Sequence, residues 1–198
     1  MKHPADMVFV NIDGTEDFTK IQMAIDDKDT LENYTVFVFS GEYKENIVIN
    51  KSINLIGEDI NSTIINANNT ADGIRINVDN VNVSGFTIMN SGPGDSYPDM
   101  DAGIDIISIN NNVSHCIFTN NSIGIYTNRA AQNYFYDNVF SHCTNYGMYL
   151  YSGSDSIMIK NNIFLKNSNY GLRVKGSDNT LVVGNLFMNN KRGMYFCC

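Results

Sequence analysis

Tryptophan is absent from this 198-residue chain, and proline occurs only three times. Basic residues are also scarce, with 13 Lys and Arg against 21 Asp and Glu and a formal charge of −8. Binding to a nucleic-acid backbone or an anionic membrane needs clustered Lys and Arg, so this balance argues against both. No run reaches the roughly 18 apolar residues of a membrane span. The first residues also lack the apolar core of a signal peptide.

Asparagine, in contrast, is abundant, with 30 residues in the chain. Because Asn tolerates left-handed backbone and bonds to its own main chain, this enrichment predicts a fold with many similar turns. A glycine that precedes a short β-type run recurs at intervals of 21 to 24 residues, apart from one interval of 30. A second set of equivalent positions, most of them phenylalanine, recurs along the chain with nearly the same spacing and forms a second column. These glycines are Gly73, Gly103, Gly124, Gly147, Gly171 and Gly193.

Each repeat contains two or three short runs in which apolar and polar residues alternate, which is the pattern of β-strands. A repeat of about 22 residues that stacks on itself at roughly 4.8 Å per turn is a parallel β-helix. We therefore predict an all-β fold, a single-stranded right-handed parallel β-helix of about six to seven coils over residues 35–198. Residues 1–34 are predicted to form an N-terminal cap with a short helix near 18–25, begun by Thr15.

A column of asparagines should stack inside the coils. Asn138, Asn162 and Asn185 each fall two residues before the recurring phenylalanine. Identical amides in adjacent coils can bond to one another, as in other stacked parallel sheets. Cys116 and Phe86 occupy this column in the earlier coils, where apolar stacking should replace the amides.

The alternation also predicts one row of outward side chains, here called the outward row: Arg75, Asp105, Tyr126, Tyr149, Arg173 and Tyr195. Rings, guanidinium groups and carboxamides along a rigid sheet suit a polysaccharide, so these six are the candidate binding residues. The alternative is that outward tyrosines only stabilise the sheet. If the row is exposed, Tyr149→Ala should weaken polysaccharide binding with little loss of folding stability. The inward partners, predicted to be buried, are Ile125, Met148, Leu150, Leu172, Val174 and Met194.

Three segments near the N-terminus resemble the first coil of pectin-lyase-like β-helix proteins. They read Phe18-x-x-Ile21-Gln22-x-Ala24-Ile25, Gly41-x-Tyr43-x-Glu45-x-Ile47 and Lys51-Ser52-Ile53-x-Leu55-Ile56-Gly57. The coils from about residue 71 resemble the NosD-like group, whose repeats are frequent in archaeal and bacterial surface proteins. The resemblance implies the parallel β-helix fold. It also implies one of two classes of function: polysaccharide lyases, hydrolases, esterases and epimerases, or noncatalytic surface modules. For true NosD it implies a role in maturing a copper centre.

The motifs of those enzymes are mostly missing. A Trp-containing motif and an Arg-x-Pro-x-x-Arg motif do not occur, and only Arg173-Val174-Lys175 resembles part of a polygalacturonase site. We therefore predict no catalytic residues and favour a binding module. A structural or adhesive spacer without ligand, and a small polysaccharide lyase or hydrolase, stay open as alternatives.

No metal or other cofactor is predicted. His115-Cys116 and His142-Cys143 look like a repeated ligand pair, but they differ in register against the phenylalanine column, and Cys116 should point into the core. The insertion Ser91–Asp101 carries Asp95, Asp99 and Asp101. It should form a solvated loop beside the outward row, although such oxygen clusters can bind calcium.

The sequence contains seven Asn-x-Ser/Thr sequons, which would be acceptors in an exported protein. With the family resemblance, they favour the cell exterior or surface, although a chain without a leader could also stay inside. Because the last coil should be open, we expect either that the chain is one piece of a longer β-helix or that a second copy covers the open end by end-to-end self-association. Six of these sequons begin at Asn33, Asn61, Asn68, Asn82, Asn112 and Asn120.

Overall fold

The computed structural model describes residues 4–96 and 99–197. They form a parallel β-helix of about seven coils, built from three sheets that each coil visits in turn. Sheet A contains Met7–Val10, Thr35–Val38, Asn54–Gly57, Asn82–Ser84, Asn112–Ser114, Tyr134–Tyr136, Met158–Lys160 and Leu181–Val183. Sheet B contains Gly41–Tyr43, Thr63–Asn66, Thr87–Met89, Ile117–Thr119, Val139–Ser141, Ile163–Leu165 and Leu186–Met188. Sheet C contains Ile47–Ile49, Ile74–Ile76, Ala102–Ile106, Ile123–Asn128, Tyr146–Tyr151, Tyr170–Lys175 and Arg192–Cys197.

The predicted fold class is confirmed, and a short helix, Ile21–Asp26, packs at the N-terminal end. The strand Met7–Val10 precedes it and extends sheet A by pairing in parallel with Thr35–Val38. The predicted cap residue is wrong, because Thr15 bonds to Asp13 instead. The carboxylate of Glu45 accepts hydrogen bonds from the first two helical N–H groups, at 2.9 and 3.0 Å. A residue from a later strand thus satisfies the donors that every helix start exposes.

The recurring glycines allow successive coils to approach closely. A Cβ atom on Gly147 would lie 2.6 Å from the carbonyl oxygen of Gly171 and 2.7 Å from the ring of Phe164. The phenylalanines beside them stack face to face, with 4.8 Å between the ring centroids of Phe140 and Phe164. Glycine and phenylalanine therefore recur together because one leaves the space that the other fills.

The asparagine column lies in the interior, as predicted. Oδ1 of Asn162 accepts hydrogen bonds from the backbone and side-chain nitrogens of Asn138, at 2.9 and 3.0 Å. Asn162 donates in the same way to Asn185. A second column, which the sequence analysis missed, joins Asn167 to Asn190. These amides satisfy backbone groups where the chain bends between strands, and buried polar groups require such partners.

The predicted inward side chains are buried, with one exception. Met194 is 49% exposed, because its coil has a neighbouring coil on one side only within the described residues. In the interior coils, residues such as Met148 and Leu150 have no exposed surface. Register and burial therefore agree with the predicted alternation, since a one-residue slip would invert the two sets.

Candidate functional site on the outer face of sheet C

The outward row is present on sheet C. Strand register pairs its members in sequence, namely Arg75 with Asp105, Asp105 with Tyr126, Tyr126 with Tyr149, Tyr149 with Arg173 and Arg173 with Tyr195. The predicted alignment is therefore confirmed, and neighbours along the row are about 4.8 Å apart. Its role in binding stays a prediction.

A second column of side chains lies beside this row and was missed in the sequence analysis. Its members pair across the strands: Ala102, Ile123, Tyr146, Tyr170 and Arg192. Each residue directly precedes one of the recurring glycines, a position that the sequence already marked. On the other flank, Tyr151 and Lys175 are paired neighbours. The face is thus three side chains wide rather than one.

The tyrosine rings of this face pack against one another. The Tyr149 ring centroid lies 5.1 Å from that of Tyr146, 5.6 Å from Tyr126 and 5.7 Å from Tyr151. Tyr170 continues the cluster at 5.9 Å from Tyr146. These separations are typical of favourable aromatic pairs.

This packing corrects the expectation of an exposed row. Tyr126 and Tyr149 keep only 4% and 3% of their surface exposed, and Asp105 is also buried. Met100, from the insertion, packs against the same cluster. Burial also raises the pKa of the Tyr149 hydroxyl. Tyr149→Ala should therefore reduce stability, and the accessible groups of the row are Arg75, Arg173 and Tyr195.

Cations lie over the tyrosine rings in the last two coils. The Arg173 guanidinium carbon is 4.8 Å from the ring centroid of Tyr149 and 5.4 Å from that of Tyr146. One of its nitrogens also donates a 2.6 Å hydrogen bond to the Tyr146 hydroxyl.

Two further pairs repeat this arrangement. Arg192 lies 5.0 Å from the ring of Tyr170, and Lys175 lies 5.5 Å from the ring of Tyr151. Such contacts are favourable and hold long side chains in fixed orientations. This part of the face therefore presents positive charge and aromatic surface together.

The opposite end of the row is acidic. Arg75 forms an ion pair of 2.9 Å with Asp105, and the same nitrogen lies 3.7 Å from Asp72. Burial raises the pKa of Asp105 to about 6, although Arg75 opposes this shift. Burial, together with the charge of Asp105, raises the pKa of Asp72 to about 7. Oδ1 of Asp105 has no hydrogen-bond partner. These carboxyl groups therefore exchange protons near neutral pH.

The insertion lies beside this acidic end, as predicted, but it is paired and partly packed against the β-helix rather than a solvated loop. Its described strands, Asp95–Ser96 and Asp99–Met100, pair in antiparallel fashion. Asp101 accepts a hydrogen bond from the backbone N–H of Gly94 at 2.8 Å, and the Ser122 hydroxyl of the next coil donates to the Gly94 carbonyl oxygen. The insertion is thus tied to the β-helix at its base.

Among the described residues, no group of three or more His, Cys, Asp and Glu side chains is placed to hold a metal. The side chain of Asp99, one of the three candidate calcium ligands, lies outside the described residues. Cys116 and Cys143 are in the core, and burial raises the pKa of both thiols to about 12. Thiols of such high pKa do not supply the thiolate that metals bind.

Part of the chain is similar in sequence to curated proteins. A curated cell surface glycoprotein from Methanothermus fervidus is 37% identical over 114 residues, covering 57% of this chain and 17% of that protein. A probable pectinesterase/pectinesterase inhibitor 41 from Arabidopsis thaliana is 37% identical over 78 residues, covering 35% of this chain and 14% of that protein. The chain thus spans less than a fifth of the length of these relatives.

Two solved structures have the same fold. A pectin methylesterase in complex with a hexasaccharide aligns with a TM-score of 0.63 and 16% identity, covering 89% of this chain and 65% of that one. The pectin methylesterase from Aspergillus niger aligns with a TM-score of 0.51 and 10% identity, covering 100% and 86%. Because the sequence identities are only 16% and 10%, these two alignments support the fold and say nothing about function.

No helix within residues 4–96 and 99–197 has the length and apolar character to cross a membrane. The family model described as periplasmic copper-binding protein (NosD) matches residues 23–198. This match covers nearly all of the β-helix, including every strand of sheet C. The chain therefore belongs to the NosD family of right-handed parallel β-helix proteins.

Proposed function

We propose that this chain is a cell-surface β-helix module that binds polysaccharide on the outer face of sheet C. The surface location is supported by the relative from Methanothermus fervidus, which is named as a cell surface glycoprotein. The observation that carries the binding proposal is the set of three cations that lie over tyrosine rings in the last two coils.

The chemistry of this part of the face suits a sugar chain. Tyr195 is 44% exposed, and the half-exposed ring of Tyr170 lies beside it, with 5.3 Å between the ring centroids. Exposed rings can stack on the C–H faces of sugars, while Arg173 and Arg192 can bond to hydroxyl or carboxylate oxygens. The ligand would therefore occupy the C-terminal coils rather than the whole outward row. The ion-paired acidic end would repel an anionic chain.

Binding can be measured by calorimetry with polygalacturonate and with a neutral polysaccharide of similar length. Tyr195→Ala should lower affinity by about 1 kcal/mol, the typical contribution of one aromatic contact, which corresponds to roughly fivefold in Kd. Arg192→Ala should weaken binding of the charged polymer more than that of the neutral one. The matched control is Tyr136→Ala, on the outer face of sheet A. Equal affinities for all three variants and the parent chain would reject this face as the binding site.

The acidic end favours a second candidate function, a small polysaccharide hydrolase. Both carboxyl groups, Asp72 and Asp105, lie within 4 Å of one Arg75 nitrogen, and a glycosidase requires two carboxyl groups about 5 to 10 Å apart. Their raised pKa values would suit proton transfer near neutral pH. Release of reducing ends from a uronic-acid polymer, abolished in Asp105→Asn, would support this candidate. If the parent chain releases no reducing ends, the hydrolase is rejected and the binding module remains as the proposed function.

End-to-end self-association of this module is a further part of the proposal, with a second copy as the partner. Apolar side chains such as Met194 and Phe196 are exposed in the last described coil. Sedimentation equilibrium of the parent chain and of Phe196→Asp tests it. A concentration-dependent dimer that the substitution abolishes is expected, and a monomer at all concentrations would refute it.

A further inference from the structure

The structure separates six of the seven sequons into two groups. Asn82 and Asn112 lie in strands of sheet A, where their side chains form a ladder with Asn54. Nδ2 of Asn82 donates to Oδ1 of Asn54 at 2.6 Å, and Nδ2 of Asn112 donates to Oδ1 of Asn82 at 2.7 Å. Both residues are half-buried, and the amide nitrogens of these two sequons are engaged in hydrogen bonds between neighbouring strands.

The other four sequon asparagines lie in turns or just before a strand. Asn33, Asn61, Asn68 and Asn120 are all exposed. Three of them, all except Asn61, have the left-handed backbone that turns favour, with φ between 54° and 66°. Within the described residues, none of the four side-chain amides donates a hydrogen bond. Asn50, which begins the seventh sequon just after the strand Ile47–Ile49, is also exposed. Exposure of the asparagine alone therefore leaves five candidates.

The third residue of each sequon separates these candidates further, because its hydroxyl group is part of the acceptor signal. Thr63 and Ser122, which belong to the sequons of Asn61 and Asn120, are buried. The Ser122 hydroxyl also donates to the Gly94 carbonyl oxygen. Thr35 and Ser52, which belong to the sequons of Asn33 and Asn50, are half-buried, and the Ser52 hydroxyl donates to the Asp79 carbonyl oxygen. In the sequon at residues 68–70, by contrast, all three residues are exposed.

We propose that Asn68 is an N-glycan acceptor of the folded chain, whereas Asn82 and Asn112 are not modified in the folded state. Use of this site in the cell rests on the surface location proposed above. Asn68 lies at the corner between sheets B and C, after the strand Thr63–Asn66, and not on the outer face of sheet C. Asn68 belongs to the coil of Arg75, whereas the Tyr and Arg side chains of the proposed binding surface lie in the C-terminal coils.

The reaction requires a lipid-phosphate-linked oligosaccharide as donor and an oligosaccharyltransferase as catalyst. The amide nitrogen of Asn68 forms a bond to the anomeric carbon of the sugar and loses one of its two protons. The bond between that carbon and the phosphate oxygen breaks, and the lipid phosphate leaves. Asn68 suits this attack because its amide and Thr70 are both exposed. The Thr70 hydroxyl donates to Oδ1 of Asn46 and to the Ala67 carbonyl oxygen, at 2.9 Å each, so exposure, and not a free hydroxyl group, separates this sequon from that of Asn120.

The test compares the folded chain with protease-derived peptides that contain the same sequons. Both are incubated with a purified oligosaccharyltransferase that accepts Asn-x-Ser/Thr and with its lipid-linked donor, and mass spectrometry measures the occupancy of each site. In the peptides, Asn82, Asn112 and Asn68 should all be modified. In the folded chain, Asn68 should react at least tenfold faster than Asn82 and Asn112. Similar rates at the three sites, or modification of Asn68 in the peptides only, would overturn the proposal.

Two variants supply the control. Thr70→Ala removes the hydroxyl group and its bond to the Ala67 carbonyl oxygen, but it keeps Asn68 and the backbone hydrogen bond from Thr70 to Ala67, so it should abolish modification at Asn68 alone. Thr70→Ser restores the hydroxyl group and should restore modification. Unchanged modification in Thr70→Ala would refute a sequon-dependent site. Polysaccharide binding is measured on the same unmodified protein, so failure of the outward-row proposal and failure of the acceptor proposal are distinguishable.

Discussion

Replacement of Asn162 by alanine tests whether the interior amide column stabilises the coils. Oδ1 of Asn162 accepts two hydrogen bonds from Asn138, at 2.9 and 3.0 Å. Its Nδ2 donates to the backbone oxygen of Phe135 at 2.9 Å and to Oδ1 of Asn185 at 3.0 Å. The side chain is completely buried, so water cannot replace these partners.

The magnitude follows from the groups that the substitution leaves without partners. The backbone N–H of Asn138 and the backbone oxygen of Phe135 both lose a hydrogen bond inside the coil. Each buried group without a partner costs about 1 to 3 kcal/mol. Asn162→Ala should therefore lower the free energy of unfolding by about 2 to 6 kcal/mol.

Urea denaturation followed by far-ultraviolet circular dichroism measures this loss. Asn161→Gly is the matched control, because Asn161 is exposed and has a φ of 55°, which glycine adopts freely. The control should change the free energy of unfolding by less than about 1 kcal/mol. Equal denaturation midpoints for the two variants would refute the argument that the column satisfies buried backbone groups.

Three further predictions concern the core, the helix and the acidic end. Met148→Ala should lower the free energy of unfolding by about 2 to 5 kcal/mol, because it opens a cavity between coils; urea denaturation measures it. Glu45→Gln removes one of two acceptors at the helix start, so it should cost about 0.5 to 2 kcal/mol and speed hydrogen exchange of the first helical N–H groups. The raised pKa values of Asp72 and Asp105 mean that the native state retains protons which the unfolded chain releases above about pH 4. Stability should therefore fall as pH rises from about 4 to 7, and Asp105→Asn should reduce that fall.

The fold could be predicted from the sequence because each coil repeats the same local requirements. Gly147 and Phe164 recur with their equivalents at a nearly constant interval, and two columns that shift together indicate one stacked unit. Alternation then assigns each side chain to the inside or the outside of the coil. The interior position of Asn162 followed from the same register.

Capping and exposure could not be predicted in this way. Glu45 caps a helix that lies 24 residues earlier in the chain, and no local pattern identifies that contact. The spacing likewise placed Tyr126 and Tyr149 on the outer face but carried no information on the rings of neighbouring coils. Burial of these two rings depends on how the large side chains of three adjacent columns pack together on the outer face of sheet C.

The sequence by itself thus determined the coil, its register and the row of outward residues, because these depend on period and on backbone stacking. Only the tertiary structure decided which members of that row are accessible. It placed Arg173 over Tyr146, which the row does not contain, and it buried Asp105 in an ion pair with Arg75. Such properties depend on contacts between side chains that are 20 to 30 residues apart in sequence, whose geometry is fixed only once the coils have stacked.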